Sequence, residues 1–164
     1  MATPPIPDFA TRSAPWSERI VPEGMRTPST ARGVHHVAFI CSDVGATIDF
    51  YQDLLGFPLV ELFENRDYAG SAHLFFDIGA GNLLAFFDFP GYEHPEHHET
   101  LGGIQHLAIS VTAEQFAAVK DRLHAAGVEY RGPDLGVANS VYLRDPDGLQ
   151  IELCTAPLLD TNFD

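Results

Sequence analysis

The heptapeptide Gly33-Val-His-His-Val-Ala-Phe39 returns later in the chain as Gly103-Ile-Gln-His-Leu-Ala-Ile109. Glycine, histidine and alanine stand in matched places, and positions 34/104, 37/107 and 39/109 pair apolar residues. An internal repeat constrains the fold more tightly than composition does, because each copy is one supersecondary unit that must pack against its twin. The segments that follow also match. After the first copy, Val44, Ile48, Tyr51 and Leu55 recur at helical spacing and Gly56 stops the helix. After the second, Thr112 and Gln115 form a capping box ahead of Phe116, Val119 and Leu123, with Gly127 as the stop. Short β-type runs then follow each helix, at about 57–64, 72–77 and 83–89 and at about 128–131, 139–144 and 149–154. Gly79-Ala80-Gly81 and Asp145-Pro146-Asp147-Gly148 supply the turns.

Each copy is therefore a β-α-β-β-β module too small to bury a sheet face alone. The predicted architecture is one α+β domain over 33–156, in which two paired modules form a curled mixed sheet around a cleft. Module one covers 33–90, a polar loop 91–102 and module two 103–156. Before them lies an arm, 1–32, in which Pro4, Pro5, Pro7, Pro15, Pro22 and Pro28 forbid a long helix. Phe9, Trp16 and Ile20 give that arm anchors on the body or on a partner subunit. A short tail, 157–164, ends the chain.

Charge removes several classes of partner. Twenty-three acids stand against nine Lys and Arg in 164 residues, a formal charge of −14, and Lys120 is the one lysine. A nucleic-acid binder needs clustered cations, and so does a protein that docks on anionic lipid. No apolar run has the length of a membrane span and no signal pattern opens the chain, so a cytoplasmic protein is expected. Cys41 and Cys154 read as small buried hydrophobes and not as a disulfide framework.

Strand alternation sorts the side chains of the repeat. Val37 and Phe39 share the helix-facing side of the first strand, and His36 and Ala38 the other. In the matched strand Leu107, Ile109 and Val111 face the helix while His106, Ala108 and Ser110 face away. Glu152 projects from the non-helical face of the last strand with Gln150 and Cys154. A strand histidine is ordinarily a hydrogen-bonded core residue. Here, however, two matched histidines stand beside alanines, with a carboxylate that would be costly to bury unpaired. A divalent metal held by His36, His106 and Glu152 resolves that cost and leaves open positions for small ligands. Leu83, Ala85, Phe87 and Phe89 share one strand face, with Phe75 on the neighbouring strand. They form an apolar, aromatic wall suited to an aromatic substrate, and Arg144 is the one cation near the site by sequence.

These residues resemble the vicinal oxygen chelate superfamily, which includes glyoxalase I, extradiol dioxygenases, methylmalonyl-CoA epimerase, fosfomycin-resistance enzymes and bleomycin-binding proteins. His36-Val-Ala-Phe39, Ser42-Asp43 and Phe50-Tyr-Gln-Asp-Leu-Leu-Gly-Phe57 are similar to its opening motif. Asp145-Pro-Asp-Gly-Leu-Gln-Ile-Glu-Leu153 is similar to its closing strand. The resemblance implies a glyoxalase/dioxygenase-like fold with His36, His106 and Glu152 at the ligand positions. Many isomerases and lyases of the family use a fourth ligand; matching Gly81 to Gly148 places Ala85 there. A three-ligand site resembles the extradiol dioxygenases, which also carry a tyrosine ten residues before the glutamate, the place of Tyr142.

The resemblance thus implies a small ring-cleaving dioxygenase with Fe2+ or Mn2+, acting on a catechol-type or other vicinal-oxygen substrate. A glyoxalase- or epimerase-like lyase or isomerase with Zn2+, Ni2+ or Co2+ is the alternative, and a non-catalytic binding protein of the bleomycin-resistance kind the third. Tyr142 and His73 are the candidate catalytic residues, with His94, His97 and His98 of the loop behind them. His35, on the face opposite His36, is read as structural. A homodimer is expected.

Overall fold

The computed structural model describes residues 8–93, 95, 97–134 and 139–156. These divide into two compact units, the first ending at Gly33 and the second beginning at Val34. The first unit holds helix α1 (Phe9–Ser17) and a 3-10 turn (Glu23–Met25). Asp8 caps α1 by accepting from the Thr11 amide at 3.0 Å, and Pro15 sits in its last turn. The helix is short, as a proline at that position requires. The predicted tail, 157–164, lies outside the described residues.

The second unit carries the repeat. Strand β1 (His36–Ile40), helix α2 (Val44–Ile48), and strands β2 (Leu59–Glu64), β3 (Ala72–Asp77) and β4 (Leu83–Phe87) make module one. Strand β5 (Leu107–Ser110), helix α3 (Ala113–Ala126), and strands β6 (Arg131–Asp134), β7 (Ser140–Arg144) and β8 (Gln150–Cys154) make module two. Each module forms a four-stranded mixed sheet, in the order β1-β4-β3-β2 and β5-β8-β7-β6. In each, the first strand runs parallel to the last and the other pairs are antiparallel. The two expected four-stranded sheets are present, with β1 and β5 each at the end of one of them; their curling around a cleft is not seen.

The helices follow their sequence signals with one departure. Helix α3 has the capping box, with the Gln115 amide donating to Thr112 Oγ1 at 3.1 Å and the Thr112 amide to Gln115 Oε1 at 2.8 Å. It ends at Gly127 in the left-handed conformation, φ 67°. Helix α2 instead runs on as a π-helix over Asp49–Leu54. The wider turn buries both Phe50 and Tyr51, which a simple 3.6-residue period does not foresee.

One hydrophobic core joins the modules, with Tyr51, Leu55, Leu74 and Phe86 from the first and Ile109, Leu123, Ile151 and Leu153 from the second. Polar links cross the same boundary. Tyr51 donates its hydroxyl to Asp145 Oδ2 at 2.9 Å, both residues being buried. The Ser42 amide donates to the Asp147 carboxylate at 3.1 and 3.2 Å. Arg122 donates to the carbonyls of Leu54 and Leu55 at 2.7 and 3.0 Å. The Asp145–Gly148 turn is thus more than a hairpin, because its two carboxylates hold module one.

Candidate metal centre

The sheet of module two presents one row of side chains away from its helix. The register places Ala108 opposite Glu152, Glu152 opposite Tyr142 and Tyr142 opposite Arg131. Cross-strand neighbours on one face lie close enough for their side chains to meet. Tyr142 donates its hydroxyl to Glu152 Oε1 at 2.9 Å, and Glu152 Oε2 lies 3.1 Å from Nε2 of His106, the residue just before β5. The Glu152 side chain is only 13% exposed, and each of its two oxygens has one of these partners. His106 Nδ1 contacts Gln105 Oε1, and the same Gln105 amide donates through Nε2 to Glu99 Oε1 at 3.2 Å. Arg131 extends the row, with its guanidinium 5.7 Å from the Tyr142 ring centroid and a 2.9 Å donation to Gln150 Oε1. A cavity of about 600 Å³ opens alongside, lined by Gln105, Tyr130, Arg131, Tyr142, Arg144 and Gln150 among others.

Module one repeats the geometry with different chemistry. Its corresponding row is Ala38, Ala85, Phe75 and Glu61, so alanine stands where Glu152 stands and phenylalanine where Tyr142 stands. The next row is Ile40, Phe87, His73 and Phe63. His73 stacks on Phe87 with ring centroids 3.8 Å apart, lies 4.3 Å from Phe75 and meets Phe63 edge-on at 5.1 Å. Burial in this aromatic setting lowers its pKa from the ordinary 6.5, and His36 adds to the shift. The neutral ring follows, and its buried Nε2 has no hydrogen-bond partner. The aromatic strip continues through Phe89 to Tyr68 and Tyr92. His36 begins β1, pairs in register with Leu83 and stands 5.9 Å from Phe75.

The sequence-predicted residues therefore fall into two groups. His106, Glu152 and Tyr142 meet on one sheet. His36, His73, Phe75, Leu83, Ala85 and Phe87 lie on the other. Among the described residues, no group of three or more His, Cys, Asp and Glu side chains lies close enough to hold a metal ion. The donor set nevertheless suits a divalent cation in part, since His106 and Glu152 bring an imidazole nitrogen and a carboxylate oxygen together. Of the loop histidines, His94 lies outside the described residues, and His97 has a buried Nε2 without a partner. Arg144 donates to the Gly148 carbonyl at 2.6 Å, bracing a turn.

Three residues near the site, Gln105, His35 and Arg131, are not among those that strand alternation aims at it. Gln105 touches His106 although alternation assigns the preceding residue to the opposite face. His35 does the same to His36, with the two Nδ1 atoms 2.8 Å apart. Arg131 enters through register, which the pairing of β6 with β7 could have supplied.

Comparison with known proteins identifies the family. The family model described as the Glyoxalase/Bleomycin resistance protein/Dioxygenase superfamily matches residues 33–153. The uncharacterized protein YwkD of Bacillus subtilis is 30% identical over 125 residues, covering 74% of this chain and 95% of its own length. The metallothiol transferase FosB of Bacillus licheniformis is 29% identical over 131 residues, 78% of each chain. Relatives named as a putative ring-cleaving dioxygenase, from Bacillus subtilis, and as glyoxylase I 4, from Arabidopsis thaliana, match as well. Among solved structures, the fosfomycin resistance protein FosX of Listeria monocytogenes, in complex with Mn(II) and 1S,2S-dihydroxypropylphosphonic acid, superposes with a TM-score of 0.59 at 23% identity. It covers 79% of this chain and 96% of that one. With a family match across both modules, this chain belongs to the glyoxalase/bleomycin resistance protein/dioxygenase superfamily.

Proposed function

We propose that the chain is a metal-dependent enzyme of the ring-cleaving dioxygenase kind, with its metal held by His36, His106 and Glu152. The observation that carries the reading is the convergence of His106 Nε2 and the Tyr142 hydroxyl on the two oxygens of Glu152. Two imidazoles and one carboxylate, with no further protein ligand at Ala85, form a donor set suited to Fe2+ or Mn2+. When bound, such a metal supplies a Lewis-acidic centre with open positions for two adjacent substrate oxygens and for dioxygen.

His36 belongs to the other sheet, so we read the site as closed by two copies. β1 and β5 are both edge strands, and an unpaired edge is a template for another chain. Setting β1 of one copy beside β5 of its partner brings His36 next to the partner's half-site. The two-fold axis of a dimer repeats this twice.

The chain's own residues then divide the work. Tyr142, whose one hydroxyl proton goes to Glu152, accepts through its oxygen from a substrate hydroxyl. Phe75 and Phe87 flank an aromatic ring, with Leu83 closing the end. His73, half-buried with a pKa held below the ordinary value and an unpartnered Nε2, is the group able to accept a proton from a substrate hydroxyl. Ring cleavage of a catechol places both atoms of one dioxygen in the product and needs no external reductant.

A second reading, a metal-dependent transferase or isomerase, is favoured by the identity with a metallothiol transferase along most of both chains. Oxygen uptake separates the two. Protein loaded anaerobically with Fe2+ is expected to consume one dioxygen per catechol, and the Glu152→Ala chain to lose both metal and uptake. Metal uptake without oxygen consumption across a catechol panel would replace the first reading by the second.

A further inference from the structure

We propose that the N-terminal arm of one chain docks on the β2 edge of a second copy. The arm has no core of its own: no residue of α1 is buried, and Phe9, Trp16, Ile20, Val21 and Met25 are exposed. Phe9 and Trp16 stand seven residues apart, so two helical turns bring them to one face with Arg12 between them. A helix of nine residues is marginal in water unless such a face packs on something. The uncovered counterpart lies at the outer edge of module one. β2 ends its sheet as β6 ends the other, yet the two edges are built differently. β6 reads Arg131-Gly-Pro-Asp134, with the proline and charges that keep an edge from pairing. β2 reads Leu59-Val-Glu-Leu-Phe-Glu64, and exposes Val60, Leu62 and Phe63 beside the exposed Glu61 and Glu64. An apolar edge of that kind is a place of association.

Charge selects the occupant. Residues 1–33 hold four arginines against three acids, whereas residues 34–164 hold five Lys and Arg against twenty acids. Two bodies of that sign repel one another. An arm of opposite sign offsets the repulsion, with Arg12 and Arg19 meeting Glu61 and Glu64 while Trp16 and Ile20 cover Val60 and Leu62. Residues 21–35, between Ile20 and β1, span at most about 50 Å when extended, which puts the edge of a neighbouring copy within reach. A two-fold pair makes the contact twice. No metal enters this inference.

The test uses the full chain. Trp16 is the one tryptophan of the sequence, so intrinsic emission reports on the arm alone. Emission spectra and sedimentation velocity are read over one dilution series. The emission should move to the blue at the same concentration at which the mass doubles. Leu62→Lys, at an exposed position, should keep the far-UV circular dichroism of the parent and raise that midpoint about tenfold, as expected for one apolar anchor lost. Arg12→Glu should raise it as well, and should flatten its dependence on NaCl. Emission that stays red while the mass doubles would overturn the docking and leave a two-copy site standing. Emission that is blue at every concentration in a monomer would assign the arm to its own body and overturn the second copy as occupant. A monomer with red emission throughout, or a midpoint unmoved by Leu62→Lys, would overturn it too.

Discussion

Replacing Tyr51 by phenylalanine isolates the polar latch between the modules. The ring stays, packed in the core against Phe76 and Phe86 with centroids 5.5 and 4.9 Å away, and only the hydroxyl leaves. Tyr51 is fully buried and Asp145 nearly so. Asp145 Oδ1 accepts from the amides of Asp147 and Leu149 at 3.0 and 2.8 Å, and Oδ2 accepts from Tyr51. Losing a hydrogen bond to a buried carboxylate costs about 1.5–3 kcal/mol. For a chain of this size that lowers Tm by about 3–12 °C.

The pH dependence of this latch has a definite sign. Burial raises the Asp145 carboxyl above its ordinary 3.8, while Tyr51 and the Leu149 and Asp147 amides pull it back. The folded chain therefore holds this proton more tightly than the unfolded chain. The group's contribution falls as pH rises from the ordinary value through the raised one, and is level above it. Tyr51→Phe removes one of the downward pulls, so the folded value climbs further. The deficit of the variant should then be smallest near about pH 4 and reach full size near about pH 8. Urea or thermal unfolding followed by far-UV circular dichroism at both pH values reads it directly. An equal loss at the two values, or none at the higher, would refute the claim that the phenol serves the ionised carboxylate.

Two further outcomes follow from the packing. Thr112→Ala removes the side-chain half of the α3 capping box and should cost about 1 kcal/mol in a denaturant titration, with Mn2+ affinity unchanged. Phe87→Ala takes away the ring stacked on His73. Steady-state kinetics should show KM for a catechol rising between about two- and tenfold, as expected for one lost aromatic contact, with Mn2+ affinity retained.

Much of this organisation is legible in the residues because the repeat is literal. Matching Gly33-Val-His-His to Gly103-Ile-Gln-His gives two modules, and alternation gives the face that each histidine occupies. Tyr142 and Glu152 meet because antiparallel pairing across the five-residue connection 145–149 sets them opposite one another, a relation fixed by spacing alone. What spacing does not determine is how one module lies on the other. That depends on Tyr51 finding Asp145, Ser42 finding Asp147 and Arg122 finding two carbonyls, contacts between residues far apart in the chain. Gln105 and His35 depart from expectation for a different reason: alternation sends residue i−1 to the opposite face, and His36 and His106 stand where the strands only begin.

The π-helix over Asp49–Leu54 acts on the chain as a phase shifter. An α-helix advances about 100° per residue, so one extra residue accommodated in a turn rotates everything after it by about that angle without lengthening the helix by a turn. Phe50 and Tyr51 owe their shared burial to this rotation, and the hydroxyl of Tyr51 owes to it the direction in which it finds Asp145. Deleting one residue from 49–54 would leave a more regular helix and a worse protein. The phenol would swing out of alignment, and the two modules would keep their individual folds while losing their mutual bearing.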